Sequence, residues 1–105
     1  MSKSMQEFQE QIRLYDAVYY FPKESKGWQM RHALGHLNKS LAVIATYLDD
    51  VDHGREPSRD DMVDKAIPDL LQYALRLSNM FEVDLEQQFA KRQDAIEESK
   101  KNAKN

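Results

Sequence analysis

Apolar side chains recur along this chain at steps of three and four residues, in blocks separated by prolines, glycines and acidic turns. The longest block runs through Leu34, Leu37, Leu41, Ile44, Leu48 and Val51, which lie along one stripe of a helix. Ala33 and Tyr47 widen the stripe, while Asn38, Lys39, Asp49 and Asp50 fall outside it. No other segment has so long an apolar face. The pattern therefore predicts that this helix is the most buried element, with Leu37, Leu41 and Ile44 in the core.

Local signals set the remaining boundaries. Met5, Phe8, Ile12, Tyr15 and Tyr19 predict a first helix, and Ser4 and Glu7 have the spacing of a capping box at its start. Pro22 ends it, because the residue before a proline is pushed out of the α region. Residues 21–25 then form a connector. The long helix should begin near Ser25 or Lys26 and run to about His53, with Gly54 just past its end as a left-handed cap. Gly35 in its interior disfavours helix by about 1 kcal/mol relative to alanine, and predicts close approach by another helix.

After the turn Arg55-Glu56-Pro57, Ser58 and Asp61 repeat the capping spacing, and Asp60, Asp61 and Asp64 put negative charge where the helix dipole favours it. Pro68 interrupts this helix, which either ends near Ala66 and restarts or kinks. Leu70, Leu71, Ala74, Leu75, Leu77 and Phe81 cover two adjoining faces, as in a helix that is central or shared with a subunit interface. Asp84 and Gln87 cap a last helix along Leu85, Phe89 and Ile96, which fades into a charged tail over residues 97–105 that should fray. Alternating β-branched runs are absent. The expectation is one all-α domain of four helices spanning residues 1–105.

Composition narrows the class. Of 105 residues, 41% are hydrophobic and 31% charged, enough for a core and too polar for burial in a membrane; no run approaches the roughly 18 apolar residues of a spanning helix. The start, Met1-Ser2-Lys3-Ser4, lacks a secretory h-region, and the absence of cysteine excludes disulfides and thiolate metal sites. A cytoplasmic protein is expected. A net charge of −3 gives no electrostatic reason to expect nucleic acid.

Several groups bear chemistry, each with a plainer reading beside it. His32 and His36 are one turn apart and can chelate a metal, yet no HExxH pattern supplies a partner, and two histidines on a helix flank are ordinary. Asp49, Asp50 and Asp52, with Glu56, Asp60, Asp61 and Asp64 across the turn, offer oxygen ligands for Mg²⁺, but Arg55 and Arg59 lie among them and favour a solvated elbow. Trp28, Tyr19, Tyr20 and Phe21 can flank a base or close one end of a bundle, and the second is commoner. Lys91, Arg92, Lys100, Lys101 and Lys104 are interleaved with Asp94, Glu97 and Glu98, which reads as a solvated face. Phosphate loops, serine elbows and cysteine nucleophiles are missing.

The long helix, the stretch Asp69 to Asn79 (DLLQYALRLSN) and Val83-Asp84-Leu85-Glu86-Gln87 together resemble the MazG-like family of all-α nucleoside triphosphate pyrophosphohydrolases. The resemblance runs from the first helix to about Ile96 and is strongest from Asp69 to Gln87. It implies a four-helix MazG-like bundle assembled as a dimer, or a tetramer. It also implies Glu-Glu-x-x-Glu on the long helix and Glu-x-x-Asp on the next, which hold Mg²⁺ for attack on a triphosphate. The matching positions here are Asn38, Lys39 and Ala42, then Ala66 and Asp69, with Arg92 as the basic residue of the last helix; only Asp69 is a carboxylate. Two expectations follow. One is a protein with a degenerate metal site that binds a nucleotide or a protein partner without catalysis. The other is an active Mg-dependent nucleoside triphosphate pyrophosphohydrolase with a relocated site drawing on Asp49, Asp52, His53 and Asp69.

Overall fold

The computed structural model describes residues 2–20 and 24–103. Met1, the first three residues of the expected connector (21–23) and the last two of the expected tail (104 and 105) lie outside them. Among the described residues there are four α-helices, one π-helical segment and no strand: α1 (Met5–Tyr19), α2 (Lys26–Asp52), the π segment (Asp61–Ala66), α3 (Ile67–Met80) and α4 (Leu85–Ala103).

The caps sit where the sequence signals them. The Glu7 amide donates to Ser4 Oγ and the Ser4 amide to Glu7 Oε1, both at 3.1 Å, closing the capping box of α1. Ser25 Oγ accepts from the Trp28 amide at 3.1 Å and opens α2. Gly54, at φ +69°, lies past the end of α2 in the region glycine occupies most easily. Asp84 Oδ1 accepts from the Gln87 amide at the start of α4, and that helix continues through the charged stretch to Ala103.

Pro68 acts in a way the sequence left between two options. The helix neither stops nor breaks; the turns before the proline widen, with the Ile67 amide donating five residues back to the Met62 carbonyl. A proline has no amide for the carbonyl four residues back and its ring presses on that carbonyl, so a π bulge there relieves the clash while keeping the chain helical.

The centre of the fold is α3, not α2. On α3 Tyr73, Leu75 and Ser78 are buried; α2 buries only Ala33 and Ser40, small residues at its contact with α3 and the π segment. Tyr73 meets α2, and Leu75, on the opposite side and 2% exposed, lines a groove with Phe8 and Ile12 of α1. Helices α1 and α4 pack on α3 and on each other, whereas α2 does not pack along either and meets the end of α1 only near Asp16 and the capping residue Tyr20. The expected core face of α2 is thereby corrected. Leu37 and Ile44 are half-buried, and Leu41 is 54% exposed, because the helix turns its small residues inward and its leucines out. Among the described residues nothing lies within 4 Å of the space a side chain on Gly35 would fill, so the close approach expected there is not made by them.

The chain is open for its size. A compact monomer of 12.3 kDa exposes about 6,100 Å², and this one exposes 8112 Å². Its radius of gyration is 17.1 Å, against about 13 Å for a compact domain of this length.

Candidate functional site

Between α2 and the π segment runs a cleft of about 340 Å³, lined by His36, Lys39 and Val43 from one wall and by Asp61, Lys65, Ala66 and Asp69 from the other. The groove continues past Ala42 toward Thr46, Asp50 and Ser58. Its size is that of a small-molecule site. Four positions that the family resemblance singles out, Lys39, Ala42, Ala66 and Asp69, thus face one groove, although they lie on three elements. Asn38 and Arg92 are exposed and line neither part of it.

The charges in the cleft alternate. Lys65 pairs with Asp61 at 3.8 Å on the exposed rim. Lys39 and Asp69 share the cleft without forming an ion pair. Among the described residues no group of three or more His, Asp or Glu side chains is placed to hold a metal ion. Asp49 and Asp50 are held instead by Arg55, whose Nη2 and Nε donate at 2.7 and 3.0 Å, and His53 Nδ1 lies 2.8 Å from the Asp49 carbonyl. That is a solvated elbow, and of its residues only Asp50 lines the groove, in the part that Asp69 does not line.

His32 and His36 are packed among aromatics. The Trp28 and His32 rings stack at 4.9 Å, His36 stacks on Tyr73 at 4.7 Å, and the two imidazoles meet edge to face at 4.5 Å. Burial, helped by His32 and Lys39 and opposed by Asp69, pushes the His36 pKa below its ordinary value of 6.5, with Arg76 adding to the depression. A depressed pKa means that the unfolded chain binds the proton more tightly. The stabilising contribution is therefore complete above pH 6.5 and is lost as pH falls through the lower folded value. Wild-type chain should lose melting temperature between pH 7 and pH 5, and His36→Gln should flatten that slope in a thermal scan; an unchanged slope would remove His36 as its source.

Tyr20 and Trp28 continue the stack, with centroids at 6.3 Å. The space between them, Asp16, Tyr73 and Arg76 is about 20 Å³, room for about one water. Among the described residues this arrangement closes the end of the bundle, and the space between the rings is too small for a base. Tyr19 is exposed against Tyr15 at 4.5 Å, and Phe21 lies outside the described residues.

Two buried polar features were missed in the sequence. Asp16 and Arg76 form an ion pair at 3.1 Å, and Gln9 bridges α1 to the α3–α4 turn. The available signal was spacing: Gln9, Ile12, Asp16 and Tyr20 follow one another at helical steps, so two polar residues share the inner arc of α1. No family model matches this chain, and no curated protein or solved structure matches it either.

Proposed function

We propose that this chain is a MazG-like helical protein of the cytoplasm, assembled as a homodimer, that binds a nucleotide or a protein partner and does not hydrolyse triphosphates. The observation that carries this reading is the content of the cleft between α2 and the π segment. Where the resemblance calls for carboxylates, the cleft presents Lys39 and Ala66, with Ala42 further along, and keeps Asp69. A hard divalent cation needs several anionic oxygens in one place. Lysines suit an anion such as a phosphate better, and Lys39 has no ion-pair partner among the described residues. The homodimer is supported by the surface left open by α2 and by the surplus exposed area.

The test is a panel of nucleoside triphosphates with Mg²⁺ or Mn²⁺, read both as pyrophosphate release and as melting temperature. No pyrophosphate is expected, and the metal alone should leave the melting point in place. A ligand at a hundred times its dissociation constant stabilises the native state by about 2.7 kcal/mol, several degrees for a domain this small. A nucleotide that raises the melting point without metal, and loses the effect in Lys39→Ala, identifies the ligand class. Pyrophosphate release with a metal-dependent rise of several degrees would replace this reading with the active pyrophosphohydrolase.

A further inference from the structure

The leucine face of α2 is the largest feature of the molecule that the cleft does not use. From Met30 to Val51 the apolar positions step by four and three without a break, the a/d spacing of a coiled-coil seam over three heptads. Leu34, Leu41 and Leu48 stand in the middle of that seam and are 57%, 54% and 58% exposed; Met30 and Val51 are exposed at its ends. Neither α1 nor α4 packs along α2, so these five positions stay open within the described chain.

We propose that this seam pairs, antiparallel, with the α2 seam of a second copy, an inference that rests on the homodimer reading above and specifies its interface. Three observations select that occupant and direction. The first is area: the chain exposes about 2,000 Å² more than a compact monomer of its mass. Removing that surplus from two chains buries a total within the range of obligate homodimers, about 2,000–5,000 Å².

The second is charge. The first half of α2, residues 26–39, contains Lys26, Arg31 and Lys39 and no acid, whereas residues 40–52 contain Asp49, Asp50 and Asp52 and no base. Parallel pairing sets like against like along the whole seam. Antiparallel pairing sets each basic half beside an acidic half and also opposes the two helix dipoles.

The third is which flank is free. On one side of the seam, Ala33, Ser40 and Tyr47 turn toward the rest of the chain. On the other side the flanking positions are Arg31, Asn38, Ala45 and Asp52, all exposed. An antiparallel pair places these free flanks against each other. Arg31 then lies beside the partner's Asp52 at both ends, and Asn38 beside the partner's Ala45 at the centre, where small side chains let the helices close. Arg31 and Asp52 form no ion pair within the described chain, so both are free for this contact.

Light scattering or sedimentation at micromolar concentration, with helicity followed by circular dichroism, tests each layer. Wild type should have the mass of a dimer. Leu34→Gln with Leu41→Gln and Leu48→Gln should give a helical monomer, with dimer affinity reduced at least about 100-fold, since these side chains are more than half exposed in the single chain. Arg31→Asp and Asp52→Arg should each weaken the dimer roughly three- to tenfold, and the two together should restore it. These exposed charge changes keep the test alive if the triple variant fails to fold. A monomeric wild type overturns the homodimer reading and this interface with it. A dimer indifferent to all the variants overturns the seam and leaves the dimer standing. Weakening by both single reversals without restoration by the pair overturns the antiparallel direction.

Discussion

Asp16→Ala is expected to destabilise the chain by about 3 kcal/mol, the low end of the range for removing one member of a buried pair. Asp16 and Arg76 sit on α1 and α3, 60 residues apart in sequence, with side chains 8% and 15% exposed. Arg76 Nε donates to both carboxylate oxygens, at 3.3 and 3.1 Å. The guanidinium also lies over the Tyr73 ring at 5.0 Å and near the Tyr20 ring at 5.8 Å, so little water reaches it. Truncating Asp16 leaves that cation without its counter-charge in a space with room for about one water. Stability of a domain is about 5–15 kcal/mol in total, so the loss should be plain in a urea melt at neutral pH. Replacing both partners, as in Asp16→Leu with Arg76→Met, should recover most of it, because no stranded charge remains. A single-variant loss under about 1 kcal/mol would mean that the pair is solvated and that the bundle end is held by its aromatics alone.

Helix ends were legible because capping is local. Ser4 with Glu7, Ser25, Gly54, and Asp84 with Gln87 each act within one turn of the chain, and each appears in the structure at its expected place. The wide apolar arc of α3 was legible for a similar reason: a helix covered on two sides must be apolar on two sides, and α3 lies between α2 and the α1–α4 pair.

The inner face of α2 was not legible. Periodicity shows which side chains avoid water, and does not say whether this chain or another supplies the cover. The leucines chose the outside, and the inner arc passes through Ala33, His36, Ser40 and Val43, whose modest volumes set the distance to α3. The cleft was reached through resemblance alone, since Lys39, Ala66 and Asp69 form no pattern in sequence and meet only when α2 lies along the π segment. Long-range polar pairs leave no periodic trace. Asp16 and Gln9 look like interruptions in the stripe of α1 until α3 and the turn before α4 supply their partners.

Gln9→Leu is expected to lose about 3 kcal/mol, and to lose it first at α4. Gln9 is 8% exposed and all of its polar atoms are engaged. Nε2 donates to the Asn79 Oδ1 at 2.9 Å and to the Val83 carbonyl at 2.7 Å, while Oε1 accepts from the Leu85 amide at 3.0 Å. The Asn79 carboxamide donates back to the Gln9 carbonyl at 3.2 Å. One side chain thus joins α1, the end of α3 and the first amide of α4. Leucine has similar bulk and leaves three groups without partners, each worth about 1–3 kcal/mol when water cannot replace the bond and less where it partly can. Helix α4 depends on this tie more than the others do, because none of its own residues is buried. Hydrogen exchange should therefore show α4 amides losing protection in Gln9→Leu while those of α2 keep theirs, since α2 packs on α3 and the π segment and not on α4. Gln9→Glu separates the bond from the bulk: at neutral pH its carboxylate still accepts from Leu85 but cannot donate to Asn79 or Val83. It should land between wild type and the leucine variant, with the same early opening of α4. Uniform loss of protection across all four helices in either variant would show that Gln9 supports the whole bundle and not the α4 joint.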